Sequence, residues 1–99
     1  MIARVWRGAT RAADAEAYAA YVEQCLEGER ALVLQRVDGD RAEIQTIIFF
    51  ESLDVVQAFA GDDIERARFY PEDDRYLLER DLTVTHYDVP VTSLKAMQG

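Results

Sequence analysis

The chain has 99 residues, of which 49% are hydrophobic and 30% charged, a composition typical of one globular domain and not of a disordered or membrane-spanning protein. Nineteen acidic against eleven basic residues give a formal charge of −8, which argues against a nucleic-acid partner and against binding to an anionic membrane. Cys25 is the only cysteine, so no internal disulfide and no multi-cysteine metal site is expected. Residues 1–8 are too short and too interrupted by arginine for a secretory signal, and a cytoplasmic location is predicted.

Strand and helix signals alternate through the first part of the chain. Residues 2–7 predict a first strand that ends at Gly8. Thr10 then offers the N-cap of a helix over residues 11–27. This segment carries apolar side chains at helical spacing, namely Tyr18, Tyr21, Val22 and Cys25. Such a face is typical of a helix that packs on a core.

A hairpin and a second helix follow. Residues 30–37 and 42–50 predict two strands, joined by an Asp-Gly turn at 38–39, because glycine accepts the positive φ that tight hairpin turns need. Residues 52–60 predict a second helix, which begins with a serine N-cap. Gly61 stands where a glycine commonly ends a helix.

Shorter elements are predicted in the rest of the chain. Residues 64–69 predict a short helix that ends before Pro71, because the residue before a proline is disfavoured in helical geometry. Residues 72–78 predict a further helical turn. Residues 82–89 are β-branched and apolar at alternate positions and predict a fourth strand, and residues 91–99 are expected to form a tail.

The order β-α-β-β-α-β predicts an α+β protein with a ferredoxin-like fold over residues 1–90, a four-stranded antiparallel sheet with two helices on one face. The third strand ends apolar on both faces, with Ile48 and Phe50 on one and Ile47 and Phe49 on the other. Because the helices cover only one face, we expect a homodimer in which a second copy covers the other, sheet against sheet. The alternative is a monomer with half-buried strands.

Four stretches of the chain carry a resemblance to a known family. They are residues 1–8 (MIARVWRG), 50–61 (FESLDVVQAFAG), 63–74 (DIERARFYPEDD) and 84–89 (VTHYDV). With these segments in this order, the chain resembles the antibiotic-biosynthesis monooxygenase superfamily of dimeric α/β-barrel proteins. The resemblance implies a ferredoxin-like homodimer with a cavity for a small molecule. It does not specify a reaction, because members include cofactor-independent oxygenases of polycyclic phenols, haem-degrading oxygenases, isomerases and cyclases.

Two departures from the family pattern concern the cavity. Phe50 stands where many members have a tryptophan, which keeps an aromatic wall but loses an indole N–H. Residues 64–70 contain no histidine, whereas the haem-degrading members carry the axial ligand of the iron on this segment. The chain is therefore not expected to bind haem in that manner, and no cofactor and no metal ion are predicted.

Five residues are candidates for a site that binds a small aromatic substrate or ligand. His86, the only histidine, is the predicted general base, since its ordinary pKa of about 6.5 suits proton transfer near neutrality. Tyr70 is the second catalytic candidate, as a donor to a substrate oxygen, and Arg4 could share that role. Arg4, Trp6 and Phe50 are predicted to bind the substrate. The alternatives are a strand or interface histidine, a core tryptophan and a packed tyrosine.

The acidic run at residues 72–74 lacks the spacing of a calcium loop and is interpreted as a helix N-terminal turn or a solvated face. Two classes of function stay open. The first is a small cofactor-independent monooxygenase-like enzyme, or a related isomerase or cyclase, acting on an aromatic or polyketide-like molecule. The second is a non-catalytic dimeric protein that binds a small ligand or serves as an accessory subunit.

Overall fold

The structure is a computed structural model that describes residues 1–91, so the predicted tail, apart from Val91, lies outside the described residues. Its elements in chain order are β1 (Ile2–Arg11), a 3₁₀ turn (Ala12–Asp14), α1 (Ala15–Cys25), β2 (Arg30–Asp38), β3 (Arg41–Phe50), α2 (Leu53–Ala60), α3 (Asp73–Tyr76), β4 (Leu77–Arg80) and β5 (Thr85–Asp88). The strands form one antiparallel sheet, which confirms the predicted α+β class. Within residues 1–91, no helix has the length and apolar character needed to cross a membrane.

The sheet has the order β2–β3–β1, and the free side of β1 pairs with two short strands instead of one. β4 pairs with β1 around Gly8, and β5 pairs with residues 2–5. The predicted strand over residues 82–89 is therefore shortened to β5, and β4 was not predicted. The hairpin between β2 and β3 is confirmed, with Gly39 at a φ of +64° in its turn.

β1 is longer than predicted, because its pairing with β3 continues past Gly8 to Arg11. Thr10 therefore lies inside the strand, where it is buried and its hydroxyl donates to the carbonyl of Arg11 at 2.9 Å. The prediction that Thr10 caps the first helix is wrong. α1 begins only at Ala15, after the 3₁₀ turn.

α2 follows its prediction closely. The Oγ of Ser52 accepts from the N–H of Val55 at 3.3 Å, which satisfies a free donor of the first turn. Gly61 has a φ of +90°, and its N–H donates to the carbonyl of Gln57 at 2.8 Å. The helix thus ends where the glycine predicts, and a connection over residues 61–72, hereafter the 61–72 loop, leads to α3.

The predicted helix over residues 64–69 is wrong, because the backbone of this segment is bonded elsewhere. The N–H of Ala67 donates to the carbonyl of Leu82 at 2.9 Å, and the N–H of Val84 donates to the carbonyl of Glu65 at 2.7 Å. Groups held by these long-range bonds cannot also join a helical ladder. The 61–72 loop instead runs beside the segment that precedes β5.

The core lies between one face of the sheet and the two longer helices. It is formed by apolar side chains of α1, β3 and α2: Tyr18, Val22, Leu26, Ile44, Ile48, Phe50 and Val56. The opposite face, hereafter the open face, carries Leu32, Leu34, Ile47, Phe49 and Tyr87. Tyr87 is 54% exposed and Leu34 46% exposed, whereas Leu32, Ile47 and Phe49 are half-buried, so the elements within residues 1–91 leave this apolar face partly uncovered.

Candidate functional site

A cavity of about 50 Å³ lies on the helix side of the sheet. Its aromatic walls include Trp6 from β1, Phe59 from α2 and Phe69 from the 61–72 loop. Polar side chains also reach it, namely Arg4, Tyr18, Thr46, Arg68, Tyr70 and Asp73. Small-molecule sites usually combine apolar walls with a few convergent polar groups, as here, but they commonly have volumes of roughly 300–1,000 Å³. This cavity as it stands has room for only a few water molecules.

Arg4 lines the cavity from β1 and is 3% exposed. Its Nη1 donates to the carbonyl of Ile64 at 2.6 Å, and its Nη2 donates to the carbonyl of Arg66 at 3.0 Å. Nη1 also lies 3.1 Å from Nε2 of His86. Arg4 therefore ties β1 to the 61–72 loop and to β5, and these three contacts use three of the five N–H groups that a guanidinium offers.

The charge of Arg4 has no carboxylate at ion-pair distance among the described residues. The ion pairs found there join other arginines to acidic groups, namely Arg11–Asp14, Arg41–Glu79, Arg75–Glu72 and Arg80–Asp74. Burial lowers the pKa of Arg4, Tyr70 opposes this effect, and the nearby Arg68 adds to it. Because an arginine side chain stays charged at ordinary pH, the cavity contains a buried cation with only neutral partners.

Arg68 brings a second guanidinium to the same place. Its Nη1 donates to the carbonyl of Phe59 at 3.0 Å, and its Cζ lies 4.9 Å from the centre of the Phe59 ring and 5.6 Å from that of Tyr70. The Cζ of Arg4 lies 5.8 Å from the centre of the same Phe59 ring. Cation–π attraction of this kind holds guanidinium groups against aromatic faces. The Phe59 ring therefore contacts two cations, Arg4 and Arg68, beside the cavity.

His86 lies next to Arg4 on the paired strand. Because a guanidinium only donates, the ring accepts at Nε2 and carries its proton on Nδ1. Burial and then the charge of Arg4 lower the pKa of His86, against a smaller opposing effect of Glu65. His86 is therefore neutral at neutral pH, and it lies behind Arg4 instead of lining the cavity.

Asp73 is a carboxylate at the first turn of α3 that is only 3% exposed. Its Oδ1 accepts from the hydroxyl of Tyr18 at 2.8 Å, and its Oδ2 accepts from the N–H of Tyr70 at 2.7 Å. Burial is the main cause that raises the pKa of both tyrosines, so both phenols stay protonated and able to donate. The predicted helix N-terminal turn at residues 72–74 is confirmed, but Asp73 is a buried link between three elements and not part of a solvated face.

Trp6 forms one wall of the cavity in a fixed orientation. Its Nε1–H donates to the carbonyl of Asp81 at 2.9 Å, and its ring meets that of Phe69 edge to face with 6.4 Å between centres. The indole lies over Gly8, where a Cβ atom would come within 2.5 Å of Cη2 of Trp6. The glycine therefore leaves the space that the indole fills.

The structure brings three of the five predicted site residues, Arg4, Trp6 and Tyr70, to one cavity. The other two lie one layer behind it. His86 contacts Arg4, and Phe50 is buried in the core against α2.

Among the lining residues that were not predicted as site residues are the two that bring charge to the cavity, Arg68 and Asp73, and Phe59, which packs against Arg4 and Arg68. Phe59 lies within the predicted second helix, and Arg68 was placed on a helix that does not form. If residues 66–70 had been predicted as extended backbone, Arg68 and Tyr70 would have been expected on the same side, because alternate residues of an extended chain share a side.

Comparisons with known proteins give no information on the chemistry of this cavity, which is therefore argued from its lining residues. No family model matches the chain, and no curated protein is significantly similar to it. Among residues 1–91, no three histidine, cysteine or acidic side chains lie close enough together to hold a metal ion.

Proposed function

We propose that the protein is a small cofactor-independent enzyme of the antibiotic-biosynthesis monooxygenase type, acting on a compact aromatic or polyketide-like molecule in the cavity described above. The observation that carries this proposal is the convergence of Arg4, Trp6 and Tyr70 on one cavity. Such an enzyme needs a planar apolar slot and donors for an oxyanion. Trp6 and Phe59 supply the slot, and Arg4 and Tyr70 supply the donors.

The proposed reaction starts from a phenol or hydroquinone that loses a proton and becomes electron-rich enough to reduce O₂. One oxygen atom enters the substrate and the other is reduced to water, with all four electrons coming from the substrate. Arg4 stabilises the negative charge of the ionised substrate, and a cation at that position lowers the pKa of the substrate hydroxyl. The Tyr70 hydroxyl donates a second hydrogen bond, because its raised pKa keeps it protonated.

The role of His86 in this proposal is tied to Arg4. The neutral ring accepts a hydrogen bond from Arg4 at Nε2, so its only lone pair is occupied. A general-base role requires that Arg4 first release this nitrogen. We therefore propose that His86 is chiefly a positioning residue for Arg4 and that the cation makes the substrate acidic enough to ionise.

The proposed assembly is a ferredoxin-like homodimer. The strand order and the two helices on one face support the ferredoxin-like assignment. The open face supports the dimer, because its apolar centre around Ile47 and Phe49 is bordered by charges of both signs, including Arg36 and Glu43. Two copies related by a two-fold axis would bury the same patch on both chains.

A non-catalytic ligand-binding protein is the second candidate, and the size of the cavity favours it. A cavity of about 50 Å³ does not hold a polycyclic substrate unless Phe69 and Tyr70 of the 61–72 loop move outward. An isomerase or cyclase would use the same oxyanion donors without consuming O₂. Oxygen consumption therefore separates the oxygenase from the other two possibilities, and product formation separates those two from each other.

The experiment is a screen of electron-rich phenols, hydroquinones and related small polyketides for oxygen uptake by the purified protein. Products are identified by mass spectrometry, and heat-denatured protein corrects for spontaneous oxidation. The proposal predicts protein-dependent oxygen uptake with one oxygen atom gained per product molecule. Binding without oxygen uptake or product formation supports the second candidate, and an isomerised or cyclised product without oxygen uptake supports the third.

A further inference from the structure

We propose that the ligand of this cavity is an anion, a small planar aromatic or conjugated molecule whose oxyanion is bound by Arg4 and Arg68. The inference deepens the proposed function, since it names the substrate class of the same cavity. It concerns binding alone and would hold equally for a protein without catalytic activity.

The first step is the charge of the cavity lining. Arg4 and Arg68 contribute two positive charges and Asp73 one negative charge, which leaves the lining one unit positive. The whole chain carries a formal charge of −8. The positive charge of the cavity favours an anionic ligand at this site, although the net negative charge of the protein opposes its approach.

The second step is that the carboxylate of Asp73 is committed to other partners. Its oxygens accept from the Tyr18 hydroxyl and the Tyr70 N–H. Arg4, for its part, donates to two carbonyls and an imidazole, all of them neutral. A buried charge without an opposite charge is costly unless a ligand supplies one.

The third step is the shape of the site. Three N–H groups of Arg4 are used by protein acceptors, and a guanidinium has five, so two are left for a ligand. The nearby faces are aromatic: Trp6 and Phe69 pack edge to face, and Phe59 carries both guanidinium groups. A planar group with its oxyanion at the arginine end matches the chemistry of this lining. Because the cavity of about 50 Å³ holds only a few water molecules, Phe69 and Tyr70 of the 61–72 loop must move outward to admit it.

His86 supplies a built-in reporter, because it is the only histidine of the chain and therefore gives one titrating ring signal in NMR. The groups that act on its pKa are Arg4, which lowers it, and Glu65, which raises it. An anion bound to Arg4 offsets the charge of that arginine. The pKa of His86 should then rise towards its ordinary value.

The test uses benzoate as the anionic probe and benzamide as its neutral counterpart of the same shape. We expect benzoate to raise the pKa of His86 in a saturable manner and benzamide to leave it unchanged. Calorimetric titration should show benzoate binding weakened about tenfold or more in Arg4→Gln and in Arg68→Gln. Arg36→Gln, which removes a similar charge on the open face, should bind benzoate as the unmodified protein does.

Equal binding of benzamide and benzoate, or benzoate binding unaffected by both Arg4→Gln and Arg68→Gln, would overturn the inference. So would the absence of any saturable effect of benzoate. Arg68 is exposed, so its variant keeps the test valid even if Arg4→Gln is unstable. Benzoate binding by a protein that oxidises no substrate would support the inference and contradict the proposed enzyme. Oxidation of neutral substrates without anion binding would support the proposed enzyme and contradict the inference.

Discussion

Nη1 of Arg4 lies 3.1 Å from Nε2 of His86, and this contact makes the single histidine an acceptor held by a buried cation. Protonation of the ring would remove the acceptor and place two positive charges side by side. Burial and the charge of Arg4 accordingly lower the pKa of His86 below 6.5. The neutral form is the one that the fold stabilises.

This contact predicts how stability depends on pH. In the unfolded chain His86 regains its ordinary pKa of about 6.5, so between the lowered pKa and that value the unfolded state binds more protons. The contribution of His86 is thus complete above about pH 6.5 and is lost as pH falls through the lowered pKa. NMR titration should give a pKa below 6.5, and Arg4→Gln should raise it. An unchanged pKa in a folded Arg4→Gln protein would contradict this account.

A second prediction compares two tyrosines of α1. Tyr18→Phe removes the hydroxyl that donates to the buried Asp73 carboxylate, and the free energy of unfolding should fall by about 1.5–3 kcal/mol, the range for a hydrogen bond to a charged group. Tyr21→Phe removes an exposed hydroxyl that accepts from the N–H of Glu72 at 3.1 Å, where water can replace it.

Urea denaturation of both variants measures this difference. The Tyr21 variant should lie within about 0.5 kcal/mol of the unmodified protein, as exposed substitutions usually do. Equal losses in the two variants would show that Asp73 does not depend on Tyr18.

A third prediction concerns Gly8, whose missing side chain leaves room for the indole of Trp6. In Gly8→Ala, the new Cβ would come within 2.5 Å of the indole and 3.1 Å of the carbonyl oxygen of Glu79. The ring must move, at a cost of about 1–3 kcal/mol for overpacking. Trp6 is the only tryptophan, so its fluorescence reports the movement directly. An unchanged emission spectrum and unchanged stability would mean that the two groups do not compete for space.

Local patterns predict much of this architecture. The parts that they miss are determined by long-range contacts. The hairpin at Gly39 and the ends of α2 follow from turn and cap residues. Gly8, in contrast, was predicted to end a strand, although the pairing of β1 with β3 continues past it to Arg11. No local pattern contains that pairing, because the partners of residues 9–11 are residues 41–43 of another strand.

The 61–72 loop shows the same limit at the candidate site. Its sequence favours a helix, yet Arg4 takes the carbonyls of Ile64 and Arg66, some sixty residues further along the chain. A helix would need those carbonyls for its own backbone bonds. Arg4 and Tyr70 were predictable as polar residues, but the cation pair of Arg4 and Arg68 appears only when the loop is extended.

A fourth prediction separates the two faces of β3. Ile48 belongs to the core and is 6% exposed, so Ile48→Glu should prevent folding because it buries an unpaired charge. Ile47 lies on the open face, so Ile47→Glu should keep the fold and break the proposed dimer. Circular dichroism reports the fold, and light scattering coupled to size exclusion reports the mass. A mass near 11.3 kDa for the unmodified protein at micromolar concentration would contradict the dimer.

The most direct test of the central claim, that this cavity performs chemistry through Arg4, is the turnover of Arg4→Gln on a substrate found in the oxygen-uptake screen. Removal of one oxyanion donor typically lowers kcat by about 100- to 1,000-fold, and we expect a loss in that range for a variant that remains folded. Arg36→Gln serves as the matched control and should retain full activity. A folded Arg4→Gln protein with the turnover of the unmodified enzyme would contradict the account.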